Sequence, residues 1–300
     1  CDHQSDVIAR FAATIFKLKD GGMPLASLPS GIDIFYEQFG ELSDPAVFLM
    51  HGLGSQMLLW DKKFCMGLTE EGFCVIRFDS RDSGLSSRPP DGTTYTLSDM
   101  AQDVLGLMDY LKVKKAHIGG LSMGGMIAQT FAANHSERCL SLISMASNTG
   151  NPDFGRPGNE TFKAMMAPAP KDPEERIEKE LADRRLWAST EWHDEEHARA
   201  LFQEYERRSP MPRAAFERQA RAALNEGNRE ENLKKISTPT LVIHGTADTL
   251  ISQSGGERTA EVIPDADLVL IDGWGHDLPP GSWPHLIKSI AEHARSSVTE

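Results

Sequence analysis

Positive charge is what this chain is short of. Against 44 Asp and Glu stand 31 Lys and Arg, a formal net charge of −13. Nucleic acids and anionic membrane surfaces recruit proteins through basic patches. The longest basic cluster here covers only residues 112–115, which argues against both. Long apolar runs are missing too: none reaches the roughly 18 residues that span a bilayer. Cysteine is scarce. Cys1, Cys65, Cys74 and Cys139 fit no metal-ligand spacing, and a chain of 300 residues does not need disulfides to hold its core. Cys74 and Cys139 lie in apolar runs and read as buried free thiols. No His, Cys and carboxylate set has ligand spacing, no G-x-G-x-x-G follows the first strands, and no Walker A sequence occurs. No metal and no nucleotide cofactor is therefore expected.

What remains is ordinary globular composition, 40% hydrophobic and 25% charged, at a length suited to one large domain with an insertion. The sequence opens on Cys1, so it is either a piece of a longer chain or a mature chain after signal removal. A cytoplasmic protein is the expectation. If Cys1 is a true mature N-terminus, an exported lipoprotein is the alternative. Residues 7–18 carry an amphipathic helical pattern within an N-terminal extension, 1–29.

Hydrophobic periodicity orders the rest. Residues 32–39 alternate apolar and polar, as a half-buried antiparallel strand does. AVFLM at 46–50, CVIRF at 74–78 and TLVIHG at 240–245 are fully apolar or nearly so, the mark of central parallel strands. A helix is expected over 96–111, capped by Thr96 or Ser98, with further strands at 140–146 and 268–271 and a last helix over 283–296. Between 149 and 235 the chain turns charged and helical without any strand pattern; 171–190, 193–208 and 213–226 are its clearest helices. Strands alternating with helices imply an α/β fold with a mostly parallel sheet. The expected division is a core of 30–148 and 236–300, interrupted by a helical insertion at 149–235.

One stretch concentrates the chemistry. AHIGGLSMGGM, residues 116–126, reads as a strand, a very tight turn and a helix, with Ser122 at the apex of G-x-S-x-G. That is the spacing of a nucleophile elbow. A serine hydroxyl is a poor nucleophile at neutral pH; it needs a base in reach, and the base needs a group that fixes its tautomer. In sheets of this kind the active groups gather beyond the carboxyl ends of the strands. His276, in GWGH after the last strand, and Asp248, in the turn after residues 240–245, satisfy that rule. Asp272 and Asp277 are rival acids, but lie too near His276 in sequence to approach the far side of its ring. His51 begins the turn HGLG at 51–54 and reads as a brace for that loop. The backbone N–H groups of Leu53 and Met123 are the candidate oxyanion hole. Asp79, Arg81 and Asp82 read as a structural turn in which Arg81 pairs with Asp79 or Asp82.

Taken together, HGLG at 51–54, FDSRDSGLS at 78–86, GLSMGG at 120–125, LVIHGTAD at 241–248 and GWGH at 273–276 resemble the α/β-hydrolase superfamily over about residues 30–297. The order Ser122, Asp248, His276 is the superfamily's triad order. The RDSGLS turn looks like the aclacinomycin methylesterase branch, and is similar to enol-lactonases and general carboxylesterases. The resemblance implies an α/β-hydrolase sheet flanked by helices, with 149–235 as a helical cap over the pocket. It implies a serine hydrolase that cleaves carboxylic esters of small molecules through an acyl-enzyme. A lactonase, a C–C bond hydrolase or a perhydrolase would use the same triad. A dehalogenase would need an aspartate at 122, and a non-catalytic binding protein on this frame would be expected to have lost a triad member. Trp60, Met57 and Leu250, with Leu53 and Met123, are the expected lining of an apolar pocket. Met165, Met166, Leu186, Trp187, Trp192, Phe202, Tyr205 and Phe216 are expected mostly to form the cap's own core and its contact with the sheet.

Overall fold

A computed structural model describes residues 24–297. Cys1 and the helical pattern at 7–18 lie outside the described residues. The chain runs β1 (Leu25–Ser27), β2 (Asp33–Phe39), β3 (Ala46–Met50), α1 (Lys62–Glu70), β4 (Cys74–Phe78), α2 (Leu97–Tyr110), β5 (Ala116–Leu121), α3 (Met123–Asn134) and β6 (Cys139–Met145). Five helices follow: α4 (Asn159–Met166), α5 (Pro173–Arg184), α6 (Glu195–Arg208), α7 (Arg213–Asn225) and α8 (Glu230–Leu233). The chain then returns through β7 (Thr240–Gly245), α9 (Ser254–Val262), β8 (Asp267–Ile271) and α10 (Trp283–Ser296).

The strands form one eight-stranded sheet in the order β1-β2-β4-β3-β5-β6-β7-β8. The pairings from β4 to β8 are parallel, and β1 and β2 are joined antiparallel at one edge. The fully apolar runs are the central strands; β3, β4, β5 and β7 are buried at every position. Because side chains alternate across a strand, each central strand feeds two cores. On one face Phe48, Ile76 and Ile118 meet Leu97, Val104 and Met108 of α2 and Ile127 and Phe131 of α3. On the other, Val47, Leu49 and Val75 meet Phe64 and Leu68 of α1 and Leu286 and Ile290 of α10. The short strand β1 belongs to this sheet, although its residues fall in the stretch read from sequence as an extension.

Helix starts follow their capping residues. Of the two candidates for α2, Thr96 is the cap. Its Oγ1 accepts from the Asp99 N–H at 3.1 Å, and the Asp99 carboxylate accepts from the Thr96 N–H at 2.8 Å. A reciprocal cap of this kind stabilises a helix by about 1 kcal/mol. The insertion between β6 and β7 has a small core of its own, Ile177, Leu181, Ala198 and Phe202, with Tyr205 packed against it. Trp192 instead leaves that core for the second face of the sheet, its ring 5.2 Å from His285.

Candidate active site

The turn after β5 explains its own sequence. Ser122 sits at φ 62°, ψ −121°, a conformation that L side chains rarely adopt. Strain of this kind costs about 1–3 kcal/mol and persists only where the surroundings impose it. Here they do. A Cβ on Gly120 would lie 2.2 Å from the Gly124 carbonyl oxygen, and one on Gly124 would lie 2.3 Å from the Met50 carbonyl oxygen. The strand, the turn and α3 thus touch backbone to backbone. Gly125 is similarly tight, at 2.7 Å from the Ser147 Cβ, whereas Gly119 would accept a Cβ at ordinary contact distance and relaxes nothing. The Ser122 N–H donates to the Met145 carbonyl at 2.9 Å, and its own carbonyl accepts from the Ser147 hydroxyl at 2.9 Å. Ser122 is left partly exposed at the carboxyl end of the sheet.

Asp248 and His276 meet beyond β7 and β8. The His276 Nδ1 lies 2.7 Å from the Asp248 Oδ2, so the imidazole donates from Nδ1 and keeps Nε2 as its basic atom. The other carboxylate oxygen accepts from the Leu250 and Ile251 N–H groups, each at 2.9 Å. A second imidazole, His244 on β7, brings its Nε2 within 3.4 Å of Oδ2 while bonding the Ile251 carbonyl at 2.9 Å. Burial raises the Asp248 pKa, but the two imidazoles and their hydrogen bonds outweigh it and hold the carboxyl down at about 2. It is therefore ionised at neutral pH.

The loop after β3 lies against the serine. A Cβ on Gly52 would stand 3.3 Å from the Ser122 Cβ and 3.7 Å from Oγ, so a side chain there would crowd the serine. His51 braces the loop. Its Nδ1 donates to the Gly52 carbonyl at 2.9 Å and its Nε2 accepts from the Ser80 N–H at 3.1 Å. With both nitrogens engaged and burial lowering its pKa, His51 has no free atom for proton transfer.

Three expectations change. Arg81 does not pair with Asp79 or Asp82. It binds Asp103 of α2 bidentately at 2.6 and 2.7 Å, with the Tyr95 ring beneath it. The two aspartates are instead met by arginines of the insertion: Arg208 of α6 lies 2.6 Å from Asp79, and Arg218 of α7 lies 2.7 Å from Asp82. Trp60 lines no open surface. It is fully buried, 5.4 Å from the Phe64 ring in the core beneath α1 and α10. Met57 is likewise buried, its N–H donating to Asp79 at 2.9 Å, while Leu250 remains partly exposed beside Asp248. Sequence reasoning missed Arg208, Arg218, Tyr205 and Gln219 as supports of the loops after β3 and β4. Tyr205 Oη lies 2.8 Å from Ser55 Oγ, and Gln219 donates to the Arg81 carbonyl at 2.9 Å. Their partners lie more than a hundred residues away, and no local pattern points to them.

The chain is similar to known proteins over most of its length. Residues 45–279 match the family described as the alpha/beta hydrolase fold. The rhodomycin D methylesterase of Streptomyces peucetius is 26% identical over 89% of this chain and 96% of its own length. A bifunctional esterase/perhydrolase of Acinetobacter calcoaceticus is 25% identical over 91% of this chain and 100% of its own. The solved structure of a thermophilic esterase from Thermogutta terrifontis superposes with a TM-score of 0.72 at 27% identity, covering 91% of this chain and 98% of that one. With its mostly parallel sheet, its serine elbow and these relatives, the chain belongs to the α/β-hydrolase family and is a hydrolase of the esterase-like kind.

Proposed function

We propose that the protein cleaves carboxylic esters of small molecules through an acyl-enzyme on Ser122. The observation that carries this reading is the 2.7 Å hydrogen bond that fixes His276 against the ionised Asp248, at the same end of the sheet where the elbow presents Ser122. In the first step the Ser122 Oγ attacks the ester carbonyl carbon while its proton passes to the His276 Nε2. The imidazolium so formed is stabilised by the Asp248 carboxylate. Negative charge gathers on the former carbonyl oxygen, and the N–H groups of Leu53 and Met123 are the donors this reading assigns to it. One such donor contributes about 3 kcal/mol to lowering the barrier. Collapse breaks the C–O bond, and His276 returns the proton to the leaving alcohol. Water then repeats the sequence on the acyl-enzyme and releases the acid.

The helices between β6 and β7 act as the cap over this site. Leu53 and Leu250, both partly exposed, offer apolar surface near the reacting atoms, which suits an uncharged acyl or alcohol group; the Met123 side chain, expected beside them, is buried in the core. Cleavage of p-nitrophenyl esters by the wild-type protein, and its loss in a folded Ser122→Ala variant, is the expected result. Undiminished turnover in that variant would show that another group does the chemistry. A panel of lactones, methyl esters and ring-cleavage diketones run alongside separates ester cleavage from lactone, C–C or perhydrolase chemistry.

A further inference from the structure

The turn that carries His276 is gripped from outside the sheet by residues 187–190, which link α5 to α6. The His276 N–H donates to the Trp187 carbonyl at 2.6 Å, and the Thr190 N–H donates to the Gly273 carbonyl at 2.9 Å. Between these bonds lies a shorter cycle. The Ser189 Oγ accepts from the Gly275 N–H at 3.1 Å and donates to the Asp277 Oδ1 at 2.5 Å. The Ser189 N–H donates to the same Oδ1 at 3.1 Å. One serine therefore holds both neighbours of the histidine. The approach is close enough that a Cβ on Gly275 would stand 2.3 Å from the Trp187 carbonyl oxygen. Ser189, Asp277 and His276 are 2%, 3% and 8% exposed, so water does not compete for these bonds.

We infer that Ser189 and Asp277 are positioning residues for His276, and that residues 187–190 of the insertion are a fixed part of the catalytic frame. The inference rests on the Ser122, His276 and Asp248 reading. An imidazole that must bridge Asp248 and Ser122 needs both its ring and its backbone held. Asp248 holds the ring; the Ser189–Asp277 cycle holds the backbone on either side of His276. A catalytic group tolerates errors of about 0.5 Å, and a displacement of about 1 Å can cost about a hundredfold in rate. A segment that opened with each turnover would release the histidine, so the substrate path lies elsewhere around the cap.

The test follows Ser122 phosphonylation by a fluorophosphonate, resolved into half-saturating concentration and maximal rate and repeated across pH. The proteins compared are the wild type and the variants Ser189→Ala, Asp277→Ala, Asp277→Asn and the double alanine, with Ser122→Ala as the blank. The low-field proton NMR signal of the His276 Nδ1–H is recorded in each. Asp277→Ala and Ser189→Ala are expected to slow the maximal rate by about tenfold or more with little change in half-saturation. They are expected to move the midpoint of the pH profile and to shift or abolish the low-field proton. Asp277→Asn keeps an acceptor for Ser189 and is expected to recover most of the rate. The double alanine is expected to be no slower than the slower single. Rates within about twofold of wild type with an unmoved proton would overturn the inference, as would an asparagine variant as slow as the alanine. If the wild type is not labelled, or Ser122→Ala is labelled equally, the hydrolase reading fails. The response of the low-field proton to Asp277→Ala then decides the positioning claim by itself.

Discussion

Ser122, the proposed nucleophile, is also a strained residue. Its φ of 62° with ψ of −121° is comfortable only for glycine, and the backbone contacts at Gly120 and Gly124 leave the turn no room to relax. Two consequences follow from the same dihedrals. The hydroxyl is lifted clear of the sheet, and the fold carries a local cost. Ser122→Gly removes the hydroxyl and the strain together. It is expected to abolish ester cleavage and to raise the unfolding free energy by about 1 kcal/mol, read from the shift in urea midpoint. A glycine variant less stable than wild type would mean that the Ser122 side chain is held by contacts that offset the strain. The residues that define this turn were legible in sequence because they are local: glycines at fixed offsets from one serine can be read without knowing the fold. Asp248 and His276 were legible for a different reason. Each follows a strand that announces itself by its apolar run, and the carboxyl ends of parallel strands converge.

At the scale of elements, that legibility ends where the insertion meets the core. The charged helical pattern of 149–235 is plain in sequence, but which of its arginines would turn inward is not. Arg208 lies 129 positions from Asp79 by its number, and only the folded chain pairs them. The pair bears directly on the site. Asp79 is wholly buried; besides Arg208 it accepts from the N–H groups of Met57 at 2.9 Å and Leu85 at 3.0 Å. Arg208 also donates to Gln56 at 2.8 Å and stacks over the Phe35 ring. The loop that begins at His51 is thus tied to α6 by the Asp79 carboxylate, by Gln56 and by the Ser55–Tyr205 hydrogen bond. Removing a single partner of a buried ion pair strands the other charge, at a cost of about 3–5 kcal/mol. Arg208→Ala is expected to lower the denaturation midpoint by that order and to speed amide hydrogen exchange over residues 52–57. Replacing Arg208 by Met and Asp79 by Asn together, which removes both charges but keeps an acceptor for the Met57 N–H, is expected to cost less. Equal losses in the single and double variants would show that the stranded Asp79 charge is not what costs the stability. Trp60 illustrates the opposite error. Its place after the HGLG loop suggested a pocket wall, whereas its helical spacing with Phe64 and Leu68 was the truer signal, since all three pack into the core beneath α1 and α10.

The whole molecule should respond to acid chiefly through a buried group remote from the proposed site. His117 points from β5 into the core, fully buried, with Nδ1 2.8 Å from the Ser141 hydroxyl and the Phe73 ring edge-on at 5.8 Å. Burial, with a smaller contribution from nearby His293, lowers its pKa from the ordinary 6.5 to about 4. Because the folded value is the depressed one, the unfolded chain takes up the proton first as pH falls. The stability held by neutral His117 is whole above about pH 6.5, declines below it, and is gone once pH has passed through about 4. The difference corresponds to about 3 kcal/mol. His51 is shifted in the same direction by its own burial, and Asp248 adds a further loss as pH falls from the ordinary carboxylate value of 3.8 toward about 2. The net charge of −13 works against this trend, since protonating surface carboxylates relieves self-repulsion. A paired comparison removes that background. His117→Gln keeps a polar group opposite Ser141 but cannot titrate. Its urea midpoint is expected to fall less than that of the wild type between neutral pH and about pH 4.5, by an amount corresponding to about 2–3 kcal/mol. Parallel midpoints across that interval would place the acid sensitivity of the fold in some other group.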